Sequence, residues 1–285
     1  MLNNELNREL RKRLYQLAFD EDIREGDHTS LATLNISKTG KGVIHSKAQG
    51  LLAGLDFAKE IFQLYDDTLN IELHSSDGSE VSRGDKVLTV KGKLLSINTA
   101  ERLVLNLLQH LSGIATKVQT ISQELKGTST KFLDTRKTTP GLRVFEKYAV
   151  KIGGAENHRM GLFDMILIKD NHIDACNSVS ESLRRAFQYL DDKNLKLPVV
   201  CEVRKMEELE EALDFPVTRV LIDNFTPELA RKAVSFVNGK IPVEASGGIH
   251  SGNARAYAEA GVDYISTSAL TRNFQPLDLS LTLSD

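Results

Sequence analysis

The sequence has no tryptophan and only two cysteines, Cys176 and Cys201, in 285 residues. Two thiols cannot build the disulfide framework of a small secreted domain, so a reducing compartment is expected. Cys201 lies inside the apolar run VVCEV, where a thiol packs as a small, inert hydrophobe. No run is long and apolar enough to span a bilayer. The first residues, MLNNELNRELRKRLYQLAF, space Leu2, Leu6, Leu10, Leu14 and Leu17 at helical intervals with charges between them, which predicts an amphipathic helix and lacks the apolar core of a signal peptide. A cytoplasmic protein without a membrane partner is the expectation. The formal net charge is -3, and no basic tract with interleaved aromatics or zinc-like Cys/His spacing accompanies it, which disfavours nucleic acid as a partner.

What is present suffices for a large core. With 41% hydrophobic residues, a chain of this length can bury one large core or two modest ones, and two domains are preferred. Residues 42–92 read as strands with Gly turns at Asp77-Gly78 and Gly84-Asp85, interrupted by a helix through FAKEIFQLY. A structural sandwich domain fits this text better than a biotinyl or lipoyl carrier hairpin on Lys47, because HSKAQG lacks flanking Met or Asp. A long helix follows, SINTAERLVLNLLQHLSGIATKVQTISQEL, with Leu103, Leu107, Leu108 and Leu111 on one face, widened by Leu105, Ile114 and Val118. Ser112-Gly113 marks an expected kink or break.

After Gly127 the text alternates strand and helix. The strands KFLDT, DMILIKD, LPVVCEV, RVLID, IPVEAS and VDYIST are separated by helical segments, the grammar of parallel strands with crossover helices. Each strand ends near a polar residue: Asp134, Lys169, Glu202, Asp223, Ser246, then Ser266 with Thr267. A barrel converges such ends on one mouth, whereas an open sheet spreads them along a crevice. The predicted fold is therefore α/β, an incomplete six-stranded α/β barrel with an N-terminal α/β sandwich domain. The expected divisions are 1–112 for the sandwich and 113–270 for the barrel.

The segment from Asp134 to His172 concentrates Arg136, Lys137, Arg143, His158, Arg159, Lys169 and His172 in a slightly acidic chain. Placed at strand ends and in a Gly-rich turn, they suit a carboxylate or phosphate. Thr138-Thr139-Pro140 adds helix-start grammar beside Arg136 and Lys137, which itself favours an anion. Glu202 and Asp223 are expected at equivalent positions on consecutive strands. Two hard oxygen donors suit Mg²⁺; an acid/base pair, or structural partners for Lys169 and Arg204, are the alternatives. Ser246-Gly247-Gly248 follows a late strand and precedes a helix, a turn whose backbone N–H groups can receive a phosphate. No Ser-His-Asp grouping or activated Cys is evident, so catalysis would rest on positioning and electrostatics.

Taken together, EDIREGDHTS, AERLVLNLLQHLSGIAT, DTRKTTPGLR, KYAVKIGGAENHRMGLFDMILIKDNH, CEV, LIDN, VEASGGI and GVDYISTSALT resemble the quinolinate phosphoribosyltransferase family over nearly the whole chain. The resemblance implies a sandwich domain completed by the C-terminal segment, 271–285, and transfer of a phosphoribosyl group from phosphoribosyl pyrophosphate to quinolinate, giving nicotinate mononucleotide, pyrophosphate and CO₂ with Mg²⁺, in NAD biosynthesis. By that resemblance Arg136, His158, Arg159 and Lys169 bind quinolinate. Arg102 corresponds to an arginine given by the neighbouring subunit, implying a homodimer with shared sites. Lys137 matches a pyrophosphate-side lysine, Glu202 and Asp223 match acids around metal and ribose, and Ser246, Gly247 and Gly248 match the 5′-phosphate loop, near Ser266 and Ser268. Ser268 departs from the family, which usually has glycine there. The rivals are a molybdenum-transport-associated paralogue, a Lys47 carrier and a barrel aldolase using Lys169.

Overall fold

The computed structural model describes residues 4–284, with side chains from Arg8 onward. The chain folds into two compact units: residues up to Gln119 with Thr139–Gly154 and the segment from Phe274, and a second unit of Thr120–Thr138 with Ala155–Asn273. In chain order the elements begin α1 (Asn4–Asp22), α2 (His28–Thr33), β1 (Thr39–Ser46), β2 (Gly50–Leu51), α3 (Leu55–Tyr65), β3 (Asn70–Leu73), β4 (Glu80–Val81), β5 (Lys86–Lys93) and α4 (Leu94–Ser122). They continue β6 (Lys131–Leu133), α5 (Arg143–Ile152), β7 (Ile166–Ile168), α6 (Asp170–Cys176), α7 (Val179–Lys193), β8 (Val199–Val203) and α8 (Met206–Leu213). Last come β9 (Arg219–Asp223), α9 (Pro227–Val237), β10 (Val243–Ser246), α10 (Ala254–Ala260), β11 (Tyr264–Ser266) and β12 (Leu279–Ser284). Among the described residues no helix is long and apolar enough to cross a membrane.

In the first unit an antiparallel sheet runs in the order β12-β1-β5-β3. Strand β12 pairs along β1 from Lys41↔Ser284 to Ser46↔Leu279, so the C-terminal segment does return to the N-terminal sheet. On β1 the buried residues alternate, Gly42, Ile44 and Ser46, as a strand with one covered face requires. Helix α4 covers that face: a Cβ on Gly42 would touch Ile97 at 3.0 Å. Val104, Leu108, Leu111, Ala115 and Val118, at alternating spacings of four and three, are all essentially inaccessible.

Four expectations change here. Helix α4 is unbroken through Ser112-Gly113. Ser112 Oγ accepts the Ala53 N–H at 3.0 Å, and a Cβ on Gly113 would sit 2.3 Å from the Gln275 carbonyl, so this dipeptide serves close approach and not a kink. Asp77-Gly78 is a true turn, but β3 and β4 belong to different sheets; the Asp77 carboxylate instead accepts the N–H groups of Gly54 and Leu55 at the start of α3. On α1 the buried side chains are Tyr15 and Phe19, while Leu10 and Leu17 are exposed. Leu2 and the Leu6 side chain lie outside the described residues. An aromatic group explains the choice: Tyr15 meets Phe145, and Phe145 and Tyr148 both meet Phe57 edge-on. Finally, Thr138-Thr139-Pro140 does not begin a helix; α5 starts at Arg143 with Leu142 at its cap, and the Thr139 N–H goes to the buried Glu146 carboxylate at 3.2 Å.

The second unit is the incomplete barrel. Six parallel strands run in the order β6-β11-β10-β9-β8-β7, leaving β6 and β7 as edges. Strand β8 is buried at every position, as expected where helices cover a parallel sheet. The crossover helices start and stop on local signals. Ser178 and Thr226 cap α7 and α9 through their hydroxyls, and Asn177, Asn194, Asn238 and Gly261 end helices in the left-handed conformation.

Candidate active site

Parallel register puts one row of functional residues at the strand ends. Ile168 pairs with Cys201, so Lys169 falls beside Glu202; Ser246 pairs with Asp223 directly. Glu202 lies opposite Leu221, two residues before Asp223, so the two acids share a face but are not at equivalent positions. That offset is about 6–7 Å along the strand. Lys169 Nζ forms a short ion pair with the buried Glu202 carboxylate. Of the structural partnerships considered for the acids, this one exists; Arg204 instead pairs with Asp174 and Glu208, each at 3.0 Å.

The cations are brought together unequally. Arg159 Nη1 donates to the Met165 carbonyl at 3.3 Å, and Asp164 clasps the N–H groups of Met160 and Gly161 at 2.7 and 2.9 Å. Burial and then the Arg136 charge hold the Arg159 guanidinium below the usual arginine range, with Asp164 partly offsetting them. A partly buried arginine facing the charge of a second, exposed one is set to receive an anion. Lys137 is exposed, and its carbonyl accepts the Thr271 hydroxyl at 3.0 Å. His172 turns back: its Nδ1 accepts the Lys169 N–H at 2.9 Å and caps α6. Arg102 is exposed on α4, and Arg143 opens α5; both belong to the first unit.

The Ser246-Gly247-Gly248 turn runs through the left-handed region, and at Gly247 it leaves no room for a side chain. The φ angles of its two glycines are +91° and +61°, and a Cβ on Gly247 would fall 2.2 Å from Asn224 Oδ1 and 2.7 Å from Asn224 N. Asn224 N–H bonds the Ser246 carbonyl at 2.9 Å, while Asn253 donates to the Gly248 carbonyl at 3.1 Å and accepts the His250 N–H at 2.9 Å. The neighbouring loop is tied in by Thr267, whose hydroxyl donates to the Ile249 carbonyl at 2.7 Å. Ser266 is buried, and Ser268 opens a short 3₁₀ turn. Ser268 has no positive φ, so its side chain is accommodated without the strain that would demand glycine.

Three polar residues went unremarked in the sequence. Glu244 and Arg219 lie on the face of the sheet that also carries Glu202 and Asp223, and Asn157 holds the loop before Arg159. Glu244 is fully buried, with Arg219 Nε 2.8 Å from Oε2 and His158 Nε2 3.5 Å from Oε1. Asp134, also fully buried, accepts Asn157 Nδ2 at 2.7 Å and the His158 N–H at 2.8 Å. The available signal was a charge at an alternate position inside an otherwise apolar strand.

For a divalent cation the described residues offer few ligands. Among the described residues no three His, Cys, Asp or Glu side chains gather as a metal-holding group. Asp223 Oδ2 accepts Asn224 Nδ2 at 2.7 Å, and Glu202 is engaged by Lys169. Such a set fits Mg²⁺ only where phosphate and water oxygens complete the shell, the usual arrangement for that ion.

Comparison with known proteins agrees in both units. Residues 27–112 match the model of the quinolinate phosphoribosyl transferase N-terminal domain, and residues 114–282 match that of the C-terminal domain. Quinolinate phosphoribosyltransferase [decarboxylating] 1 of Nicotiana glauca is 40% identical over 95% of this chain and 82% of its own length. The probable nicotinate-nucleotide pyrophosphorylase [carboxylating] of Bacillus subtilis is 38% identical over 96% of this chain and 93% of its own. Among solved structures, NadC from Streptococcus pyogenes superposes with a TM-score of 0.90 at 35% identity, covering 96% of each chain. The nicotinate-nucleotide pyrophosphorylase of Francisella tularensis gives 0.90 at 36% identity, covering 97% of this chain and 96% of its own. With both of its domain models matched and full-length relatives at this identity, the chain belongs to the quinolinate phosphoribosyltransferase family.

Proposed function

We propose that the protein is the carboxylating nicotinate-nucleotide pyrophosphorylase, a pentosyltransferase joining quinolinate to phosphoribosyl pyrophosphate and releasing nicotinate mononucleotide, pyrophosphate and CO₂ in NAD biosynthesis. The observation that carries this reading is the match of both units to the two domain models of the family. The partly buried Arg159 suits a dicarboxylate, and the left-handed Gly247-Gly248 turn suits a 5′-phosphate.

Arg136 and Arg159, with Lys169, hold the two carboxylates so that the ring nitrogen faces the anomeric carbon. His158 completes this end, and Ser246, Gly247, Gly248, Ser266 and Ser268 form the phosphate end. Lys137 neutralises the leaving pyrophosphate as oxocarbenium character develops on the ribose, and Glu202 and Asp223 line the ribose side. Mg²⁺, held by Glu202, Asp223 and substrate oxygens, would supply charge neutralisation on pyrophosphate. Once the nitrogen is alkylated, its positive charge stabilises the carbanion left on the adjacent ring carbon as CO₂ departs, and that carbon takes up a proton from solvent, so decarboxylation draws on the substrate's own charge. Arg102 is assigned to the active site of a partner subunit, making the working unit a homodimer, and a cytoplasmic location is part of the same reading.

Purified protein given quinolinate, phosphoribosyl pyrophosphate and Mg²⁺ should form nicotinate mononucleotide, with little product from nicotinate. Equal use of nicotinate, or no turnover by folded protein, contradicts the assignment.

A further inference from the structure

The second unit contains a buried charge cluster that the reaction described above leaves without a task. Glu244, on β10, is fully inaccessible, and neither of its oxygens has a partner in well-aligned hydrogen-bond geometry. Arg219 lies beside it, with Nε 2.8 Å from Oε2, Cζ 5.0 Å from the Tyr264 ring centroid, and Nη2 3.5 Å from His158 Nε2. Burial opposes ionisation of Glu244, but His158, Arg219 and the Ser266 hydroxyl together hold its carboxyl below the usual range. Its burial is weak evidence of a stabilising role, because buried ion pairs are often replaceable by apolar side chains at no cost.

Its reach shows where it acts. His158 Nδ1 accepts the N–H of Arg159 at 2.7 Å, and on the other side of the ring Nε2 faces Glu244 Oε1 and Arg219 Nη2, each at 3.5 Å. The backbone N–H of His158 is meanwhile fixed by Asp134 at 2.8 Å. The ring is thus a strut between the barrel interior and the main chain of Arg159, one of the two arginines at the carboxylate end.

We propose that Glu244 and Arg219 are positioning residues for dicarboxylate binding: they orient the His158 ring, which in turn sets the backbone of Arg159. Neither touches substrate. The proposal rests on the quinolinate reading for its functional consequence but not for its structural content.

Two variants test it. In Glu244→Gln the shape is kept and the charge removed; the quinolinate Kd should rise at least about tenfold, the scale of one lost charge-assisted contact, with that for phosphoribosyl pyrophosphate within about twofold. In the double variant Glu244→Met/Arg219→Met both charges go together, so the melting temperature should hold or rise while quinolinate affinity still falls. A direct readout without substrate uses protein labelled with ¹⁵N-arginine, the Arg159 amide being assigned by its loss in Arg159→Lys. That amide should shift and exchange faster in both variants than in the wild type. Unchanged Arg159 exchange with unchanged quinolinate affinity overturns the proposal, as does an equal loss of affinity for both substrates. If wild-type protein fails to bind quinolinate, the functional reading falls, and the Arg159 amide still decides the positioning claim.

Discussion

At the scale of single residues, the proposed discrimination between substrates rests on a few side chains whose neighbours define their state. Arg159 is partly buried and faces the Arg136 charge, and in the proposed reading each arginine donates to the bound anion. Arg136→Ala and Arg159→Ala should each weaken quinolinate binding by about 1.5–3 kcal/mol, the range for a hydrogen bond to a charged group, and leave phosphoribosyl pyrophosphate nearly unaffected. Titration calorimetry with each ligand separately checks this; equal losses would assign the arginines elsewhere. Gly247→Ala should do the reverse. Its Cβ would collide with Asn224, so affinity for phosphoribosyl pyrophosphate should fall by about tenfold or more, equivalent to about 1.4 kcal/mol, while quinolinate binding persists. Burial pushes the Cys201 thiol up to about 12, with Glu208, Glu202 and Glu211 adding to the effect. Iodoacetamide on native protein near neutral pH should therefore label the partly accessible Cys176 and spare Cys201, as read by peptide mass mapping. The arginines and the glycine turn were legible in the sequence because their chemistry is carried by residue type and by position after a strand. Glu244 and Arg219 were not, because a charge within VEAS or at the head of RVLID does not disclose which strand will stand next to it.

At the scale of elements, parallel pairing and helix packing fix what residue type leaves open. The alternation of strand and helix after Gly127 was legible from periodicity, and six strands form the second-unit sheet. The relative height of Glu202 and Asp223 was not, since it depends on a register in which Glu202 meets Leu221. Helix α1 carries a similar lesson: leucine spacing marked an apolar stripe, yet the aromatic contacts of Tyr15 and Phe19 decide which side is buried. In α4 the Ser-Gly pair resembled a weak point, but glycine there admits the Gln275 main chain. Gly113→Ala would gain about 1 kcal/mol of helix propensity, whereas overpacking costs about 1–3 kcal/mol, and a backbone atom 2.3 Å from the new Cβ puts this site at the costly end. Its melting temperature should fall, by calorimetry or thermal circular dichroism. A rise would mean that the C-terminal segment can move aside freely.

At the scale of the whole molecule, the proposed site residues are distributed over both units. The first carries Arg102 exposed on α4, and the second carries Arg136, Arg159, Lys169 and the glycine turn. If Arg102 serves a partner's site, Arg102→Ala and Lys169→Ala chains should each be nearly inactive alone and regain activity when mixed dimers form. No recovery in verified mixed dimers would deny sharing. The pairing of β12 with β1 was expected from the family resemblance and not from strand pattern, because a short terminal strand carries no signal for a partner more than two hundred residues away. The measurement closest to the central claim follows carbon and ribose together, using quinolinate labelled in the carboxylate next to the ring nitrogen. One labelled CO₂ released per nicotinate mononucleotide formed, dependent on phosphoribosyl pyrophosphate, is the predicted result. Mononucleotide without labelled CO₂, or CO₂ without the phosphoribosyl donor, would contradict it.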